Sequence, residues 1–135
     1  DCRRHSCAKV VSSTKEDGSG RQAVPLARPR MSHAAAALRG SIYIAGGHHG
    51  DGIPIVSIER FDGETETWSE SPPPSVARLS PAMAAVGSAL YILGGFRSAV
   101  PGNPAFQSAE LFEPASGRWQ PAPAMLEGRV NFCAV

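Results

Sequence analysis

The sequence has few cysteines and few aromatic residues, and it lacks any long apolar run. Three cysteines among 135 residues, Cys2, Cys7 and Cys133, are too few to build a disulfide framework. No stretch of about 18 apolar residues is present that would span a bilayer. The first residues do not follow the pattern of a signal peptide. Together these absences predict a cytoplasmic protein that is not embedded in a membrane.

Charge is also scarce, because charged residues make up 19% of the sequence and the formal net charge is +1. Eight of the 13 basic residues fall within residues 1–39, against three acidic ones. Such a basic segment could contact nucleic acid or an anionic membrane. Its serine, lysine and glycine content is more typical of a solvated leader. We therefore predict neither a nucleic-acid partner nor a membrane partner.

Turn-forming residues, by contrast, are abundant. The 14 glycines and 12 prolines indicate many turns rather than long helices, and they predict an all-β fold. Residues 42–47, with the sequence IYIAGG, return 48 positions later as residues 90–95, LYILGG. Each glycine pair is expected to close a strand, since glycine permits positive φ or the close approach of another backbone. An internal repeat of this period is typical of repeat architectures.

The residues around each glycine pair repeat as well. Arg30 and Arg78 each stand sixteen residues before the first glycine of a pair. Trp68 and Trp119 each stand ten residues before the next arginine of the series, Arg78 and Arg129. Because several residue types recur in one register, the chain is expected to contain two complete copies of one structural unit and the beginning of a third.

Each copy contains short apolar runs separated by turn residues, which is the pattern of antiparallel strands. The turns at 39–40 and 87–88 each lie between two such runs and predict a β-hairpin. The predicted strands cover residues 33–38, 41–45, 56–61, 82–86, 89–93 and 109–112, with a fourth strand of each copy around Trp68 or Trp119. Four strands per repeat is the number in one blade of a β-propeller.

The loop between the second and third strands is the one segment that differs in length between the copies. Gly47 and Ser57 are ten positions apart, whereas Gly95 and Ser108 are thirteen apart. Insertions accumulate on surfaces that do not pack, and such loops often carry the function of a repeat protein. We therefore expect these two loops to determine specificity.

The arginine, paired glycine, glutamate and tryptophan landmarks resemble those of kelch repeats, over residues 30–135. The repeated structural positions are Tyr43, Gly46, Gly47, Glu59 and Trp68 in the first copy and Tyr91, Gly94, Gly95, Glu110 and Trp119 in the second. The resemblance implies a partial kelch propeller with one four-stranded antiparallel blade per repeat. It also implies that the first strand is innermost, and that ligands bind loops joining the fourth strand to the first and the second to the third.

On this basis the chain divides into four segments. Residues 28–76 and 77–127 are predicted to be the two kelch repeats. Residues 128–135 are predicted to start a third repeat, and residues 1–27 to be a leader or the degenerate end of a preceding blade. Cys133, on a presumed inner strand, is expected to be a small buried apolar group.

Candidate partner-binding residues fall into two groups. The first lies at the start of the innermost strands and comprises Arg30, Ser32, Arg78, Ser80, Arg129 and Asn131. The second lies in the two variable loops and comprises His48, His49, Asp51, Phe96, Arg97, Asn103 and Phe106. The arginines could grip an acidic peptide through planar bidentate contacts. Alternatively, they pair structurally with Glu59 and Glu110, as expected of a residue repeated in every blade.

Metal binding and catalysis find little support. Consecutive histidines such as His48 and His49, even with Asp51, rarely converge on a metal without a third fixed ligand. Cys2 and Cys7 lack a second pair of ligands. No phosphate-binding loop and no plausible Ser, His and Asp set is present. We predict no metal, no other cofactor and no enzymatic activity.

The resemblance implies a propeller segment that binds another protein or an acidic peptide. The specific expectation is the substrate-recognition part of a cullin-type ubiquitin ligase adaptor, with the cullin bound through domains outside this chain. A cytoskeletal, actin-associated scaffold is the alternative. An enzyme on a kelch propeller, such as a sugar oxidase or a sialic acid epimerase, is a further one.

Overall fold

A computed structural model describes residues 24–50, 52–98 and 100–135, which form two four-stranded antiparallel sheets. The strands are β1 (Met31–Leu38), β2 (Ser41–His48), β3 (Ile58–Asp62), β4 (Thr67–Ser71), β5 (Ala82–Val86), β6 (Ala89–Leu93), β7 (Ala109–Glu113) and β8 (Arg118–Ala122). Strands β1 to β4 form blade 1 and strands β5 to β8 form blade 2, each in sequential order. The prediction of an all-β fold with four-stranded antiparallel blades is confirmed.

Some strand boundaries differ from those predicted. Strands β5 and β6 match, but β2 continues through its glycine pair to His48, because β1 begins earlier and Met31 pairs with His48. Strand β3 begins at Ile58 rather than at 56, since the carbonyl of Ser57 accepts a hydrogen bond from Arg30 instead. The guanidinium of Arg30 thus bonds a carbonyl at this strand end in place of a neighbouring strand.

Backbone hydrogen bonds join blade 1 to the segment that leads into β5 of blade 2. Gly47 N–H donates to the Arg78 carbonyl at 3.0 Å, and Ser80 N–H donates to the Ser32 carbonyl at 2.9 Å. The same pattern continues beyond blade 2, where Gly95 N–H donates to the carbonyl of Arg129 at 2.8 Å. The start of each repeat is therefore fixed against the glycine pair of the repeat before it.

The hydrophobic core lies between the two sheets. Its buried members are Ala34, Leu38, Tyr43, Ala45, Ile58, Met83, Leu90, Ile92 and Phe112. Tyr43 of blade 1 is only 4% exposed and meets Phe112 of blade 2 edge-on, with ring centroids 6.1 Å apart. Its counterpart Tyr91 is half-buried, because it lies on the opposite face of blade 2. Burial of apolar area at this interface is the main force that joins the blades.

Each blade has two ends formed by different loops. At one end, the β1–β2 turn and the β3–β4 turn meet through a bond from Gly63 N–H to the Gly40 carbonyl, 3.0 Å long. We call this the turn face. The other end carries the β2–β3 and β6–β7 loops together with the segments leading into each inner strand, and we call it the loop face. None of the described residues belongs to a helix that could span a bilayer.

Candidate protein-binding surface

The repeated arginines Arg30 and Arg78 are buried, with exposures of 0% and 1%. Arg30 Nη2 lies 2.6 Å from Glu59 Oε1, and Arg30 Nη1 donates to the carbonyls of Gly46 at 3.1 Å and Ser57 at 2.9 Å. In blade 2, Arg78 makes the equivalent contacts with Glu110, Gly94 and Ser108. The geometry favours the structural alternative for both arginines, so neither is included in the binding surface developed below.

The paired glutamates also fasten the chain entering each blade. Glu59 Oε2 accepts a hydrogen bond from Ala27 N–H at 2.9 Å, and Glu110 Oε2 accepts one from Ser75 N–H at 2.8 Å. Burial alone would raise the pKa of Glu110, but the hydrogen bonds from Ser75 and Arg78 outweigh it and lower the pKa. The carboxylate therefore stays charged and holds the entering segment on the loop face.

The repeated tryptophans hold the same segments at a second point. Trp68 Nε1 donates to the Val24 carbonyl at 3.2 Å, and Trp119 Nε1 donates to the Pro72 carbonyl at 2.7 Å. Each indole also packs on a phenylalanine of the neighbouring strand, Phe61 or Phe112. Residues 24–30 thus follow the same path over blade 1 as residues 72–78 follow over blade 2.

Three residues at equivalent positions near the start of the inner strands share an unusual conformation. Ser32, Ser80 and Asn131 have φ values of 56°, 48° and 52°, in the left-handed region that non-glycine residues rarely adopt. Asn131 N–H donates to the Ser80 carbonyl at 3.3 Å, continuing the bond from Ser80 to Ser32. Ser32 and Asn131 are exposed, whereas Ser80 is buried. The backbone conformation therefore gives all three a structural role, and only Ser32 and Asn131 are accessible.

The first variable loop folds around its two histidines. His48 Nδ1 accepts hydrogen bonds from Gly50 N–H at 3.0 Å and Gly52 N–H at 3.2 Å, while His49 Nδ1 lies 2.7 Å from the Pro29 carbonyl. Because both Nδ1 atoms are engaged by backbone, the rings order the loop rather than converge on one point. Asp51 lies outside the described residues. Within the described residues, no group of three or more His, Cys, Asp or Glu side chains could hold a metal ion.

In the second variable loop, the candidate residues Phe96 and Phe106 contact the framework of blade 2. The Phe106 ring lies 5.2 Å from Arg78 Cζ, in cation–π geometry, and Phe96 bridges to Leu79 through two backbone hydrogen bonds. Both phenylalanines are half-buried. They therefore support the loop and expose only part of their rings.

The remaining candidates near this loop are more accessible. Asn103 is half-buried, and its Nδ2 donates to the carbonyl and hydroxyl of Ser98, at 3.2 and 3.1 Å. Arg97 and Arg129 are exposed, and neither contacts a carboxylate among the described residues. Cys133 is exposed as well, contrary to the expectation of burial.

The loop face carries two neighbouring cavities. The larger, about 440 Å³, lies between the first variable loop and the end of β4, and its lining includes Arg28, Ile53, Pro54 and Val56. The smaller, about 360 Å³, is lined by Pro54, Ser75, Val76, Ala77 and Arg97. Of the residues that line the two cavities, the sequence prediction included only His49 and Arg97. The missed signal was the apolar run IPIV at 53–56 inside an otherwise polar, glycine-rich loop.

Two consecutive four-stranded antiparallel sheets that pack on each other, with the chain entering the second bonded to the first, match consecutive blades of a β-propeller. The Kelch motif family model matches residues 29–75 and 77–126, so the chain belongs to the kelch-repeat family. Kelch repeats suggest a protein-binding propeller.

Several known proteins resemble the chain. It is 29% identical over 106 residues to Kelch-like protein 23 of Homo sapiens, covering 78% of this chain and 18% of that protein. It is 25% identical over 137 residues to Kelch-like protein 25 of Rattus norvegicus, covering 96% and 23%. It is also 26% identical over 93 residues to Beta-scruin of Limulus polyphemus, covering 67% and 10%. The chain thus spans a quarter or less of the length of these relatives.

Proposed function

We propose that the chain recognises a partner protein through its loop face and performs no chemistry itself. The observation that supports this best is the contrast between the two β2–β3-type loops and everything around them. The arginine, glutamate, glycine and tryptophan contacts recur from blade to blade, whereas the loops differ in length and composition and border the two cavities of the loop face. A scaffold that repeats its supporting contacts and varies one surface is suited to selective binding.

We further propose that the intact protein is the substrate-recognition component of a cullin-type ubiquitin ligase. The similarity to Kelch-like proteins 23 and 25 supports this choice within the family. In this arrangement the loop face holds the substrate, and domains outside these blades contact the cullin. An acidic substrate segment is favoured, because Arg97 and Arg129 are exposed on the loop face without carboxylate partners among the described residues.

A cytoskeletal, actin-associated scaffold is the second candidate, and the similarity to Beta-scruin keeps it in consideration. The two candidates differ in what they bring together. An adaptor joins one substrate to a cullin, whereas a scaffold of this kind co-sediments with filaments. Sedimentation with filamentous actin therefore separates them, and we expect the protein to stay in the supernatant.

Affinity capture from cells with the intact protein tests the proposal. The wild type is compared with a variant in which residues 96–106 are replaced by a glycine–serine linker of equal length. A matched control replaces residues 63–66, on the turn face, in the same way. We expect the loop replacement to lose a partner that the control retains, with a cullin recovered in all three samples. An unchanged partner list for the loop variant would contradict recognition through the loop face.

A further inference from the structure

The two cavities of the loop face adjoin each other, because Pro54 lines both. We call this pair of adjoining cavities the Pro54 groove. Arg28 and Glu70 lie at its blade 1 end, and Arg97 lies at its blade 2 end. The described residues that line it belong to blades 1 and 2 and to the segments leading into them.

The middle of the Pro54 groove is apolar and open to solvent. Ile53 and Val56 are 66% and 51% exposed, on either side of Pro54 and the buried Ile55. Covering these two nearby aliphatic side chains with a ligand would remove apolar surface from water. This part of the groove therefore fits an apolar side chain of a ligand.

The charges of the groove are unequal at its two ends. Arg28 is paired with Glu70 at 3.2 Å, and both side chains are more than half exposed, so this end is close to neutral. Glu70 is the only carboxylate that lines either cavity among the described residues. At the other end, Arg97 is exposed and has no carboxylate partner in the described part of the chain. A guanidinium in this position favours a carboxylate through a charge-assisted bidentate contact.

We propose that the Pro54 groove binds a linear segment of a partner protein that places an apolar side chain on Ile53 and Val56 and an acidic side chain against Arg97. This inference rests on the proposed function, and it assigns recognition to a groove between two neighbouring loops rather than to the buried repeated arginines. It also explains why the shorter variable loop, which lacks aromatic residues, nevertheless carries an exposed apolar run.

Selection from a phage-displayed library of random peptides, with the intact protein as bait, tests the chemistry of the ligand. We expect enriched sequences to combine aspartate or glutamate with a nearby leucine, isoleucine, valine or phenylalanine. An enriched peptide is then synthesised with a fluorophore and titrated by fluorescence anisotropy. Enrichment of basic or purely polar peptides, or no enrichment, would overturn the proposal.

Three variants locate the peptide on the surface. Arg97→Glu and Ile53→Asp should each weaken binding of the synthetic peptide by roughly tenfold or more, as expected when a charge-assisted contact or an apolar contact is lost. Arg118→Glu, which reverses an exposed charge near the turn face, should leave the affinity within about twofold. Equal effects of Arg97→Glu and Arg118→Glu would contradict the proposed location.

The peptide experiments and the affinity capture separate failure of the Pro54 groove from failure of the proposed function. If capture depends on residues 96–106 but no acidic and apolar peptide is selected, the loop face binds a partner by other means and only the Pro54 groove is excluded. If capture does not depend on these residues, the proposed function itself fails.

Discussion

Blade 1 and blade 2 use the same internal contacts with almost the same geometry. In each, a buried arginine joins a glutamate of the third strand to the carbonyl of the first glycine of the pair. In each, a tryptophan reaches back to the segment that enters the blade. The comparison shows which residues maintain the architecture, since contacts needed by every blade recur in both.

The β2–β3 and β6–β7 loops, unlike the internal contacts, differ between the two blades. The blade 1 loop is ordered by His48 and His49 and leaves Ile53 and Val56 exposed, whereas the blade 2 loop packs Phe106 against the buried Arg78 and leaves Arg97 exposed. The blades thus differ where packing imposes no common requirement. Changes in the shared contacts should therefore reduce stability equally in both blades, and changes in the loops should alter binding.

The largest effect is expected from removing a repeated arginine. Arg78→Met leaves Glu110 buried without its cation and removes four hydrogen bonds. Breaking one side of a buried ion pair costs roughly 3–5 kcal/mol in the free energy of unfolding. Arg30→Met should cost about the same, as measured by urea denaturation of the intact protein.

A charge-preserving change sharpens this test. Arg78→Lys keeps the charge, but an ammonium group cannot satisfy two carbonyls, a hydroxyl and a carboxylate in the geometry of a guanidinium. We expect it to lower stability as well. Normal denaturation of Arg78→Lys with weaker partner binding would instead favour a direct contact between this arginine and the partner.

The next largest effect concerns the glycine pair. Gly46 has φ of 72°, and a Cβ at this position would lie 2.5 Å from the Arg78 carbonyl oxygen across the blade interface. Gly46→Ala should therefore destabilise the protein by more than the roughly 1–2 kcal/mol attributable to left-handed backbone alone. Gly94→Ala should behave alike, because its Cβ would meet the carbonyl oxygen of Arg129.

Gly87 provides the matched control for these glycines. It also has positive φ, at 60°, but a Cβ there would meet no atom within 4 Å. Gly87→Ala should show the backbone cost alone in thermal denaturation. If Gly46→Ala lowered the stability no more than Gly87→Ala, the inferred steric contact between the blades at the glycine pair would be contradicted.

A smaller effect is expected from the indole hydrogen bonds. Trp119→Phe keeps an aromatic ring beside Phe112 but removes the 2.7 Å bond to the Pro72 carbonyl. We expect a loss of about 1 kcal/mol. Trp68→Phe, which removes a longer bond of 3.2 Å, should cost no more. A larger loss for Trp68→Phe in chemical denaturation would show that the two entering segments are held differently.

The smallest effect is a pH dependence that distinguishes the blades, since blade 1 has His33 where blade 2 has Pro81. Burial, followed by the nearby charge of Arg30, lowers the pKa of His33 below its ordinary 6.5. The unfolded chain therefore takes up a proton below about pH 6.5 before the folded chain does, and stability declines as the pH falls through the folded pKa. His33→Gln should flatten this decline in denaturation curves between about pH 7 and pH 5. An unchanged slope would show that another group is responsible.

Much of the framework could be predicted from the sequence because it repeats. The spacing of Arg78, Gly94 and Trp119 predicted the blade, and the hairpin around residues 87–88 was placed correctly, since local turn chemistry and periodicity decide such features. The pairing of each arginine with a glutamate was considered from recurrence alone, without knowledge of the carbonyls that complete the site.

The loop face could not be derived in the same way. The conformation of residues 48–57 depends on the contact of His49 with the Pro29 carbonyl, a tertiary contact that has no sequence signal. The positive φ of Ser32 and Ser80 was equally hidden, because neither is the glycine that such a conformation favours. Ile53 and Val56 belong to an apolar run in the sequence. Only the structure shows that these two side chains are exposed rather than buried.

Native-state amide hydrogen exchange tests most directly whether the repeated framework holds the blades together while the loops are held locally. The amides of Gly47 and Ser80, bonded across the blade interface, should exchange only through global unfolding. The amides of Val56 and Gly102, in the two exposed loops, should exchange faster by at least about two orders of magnitude. Equal exchange at all four amides would contradict the account.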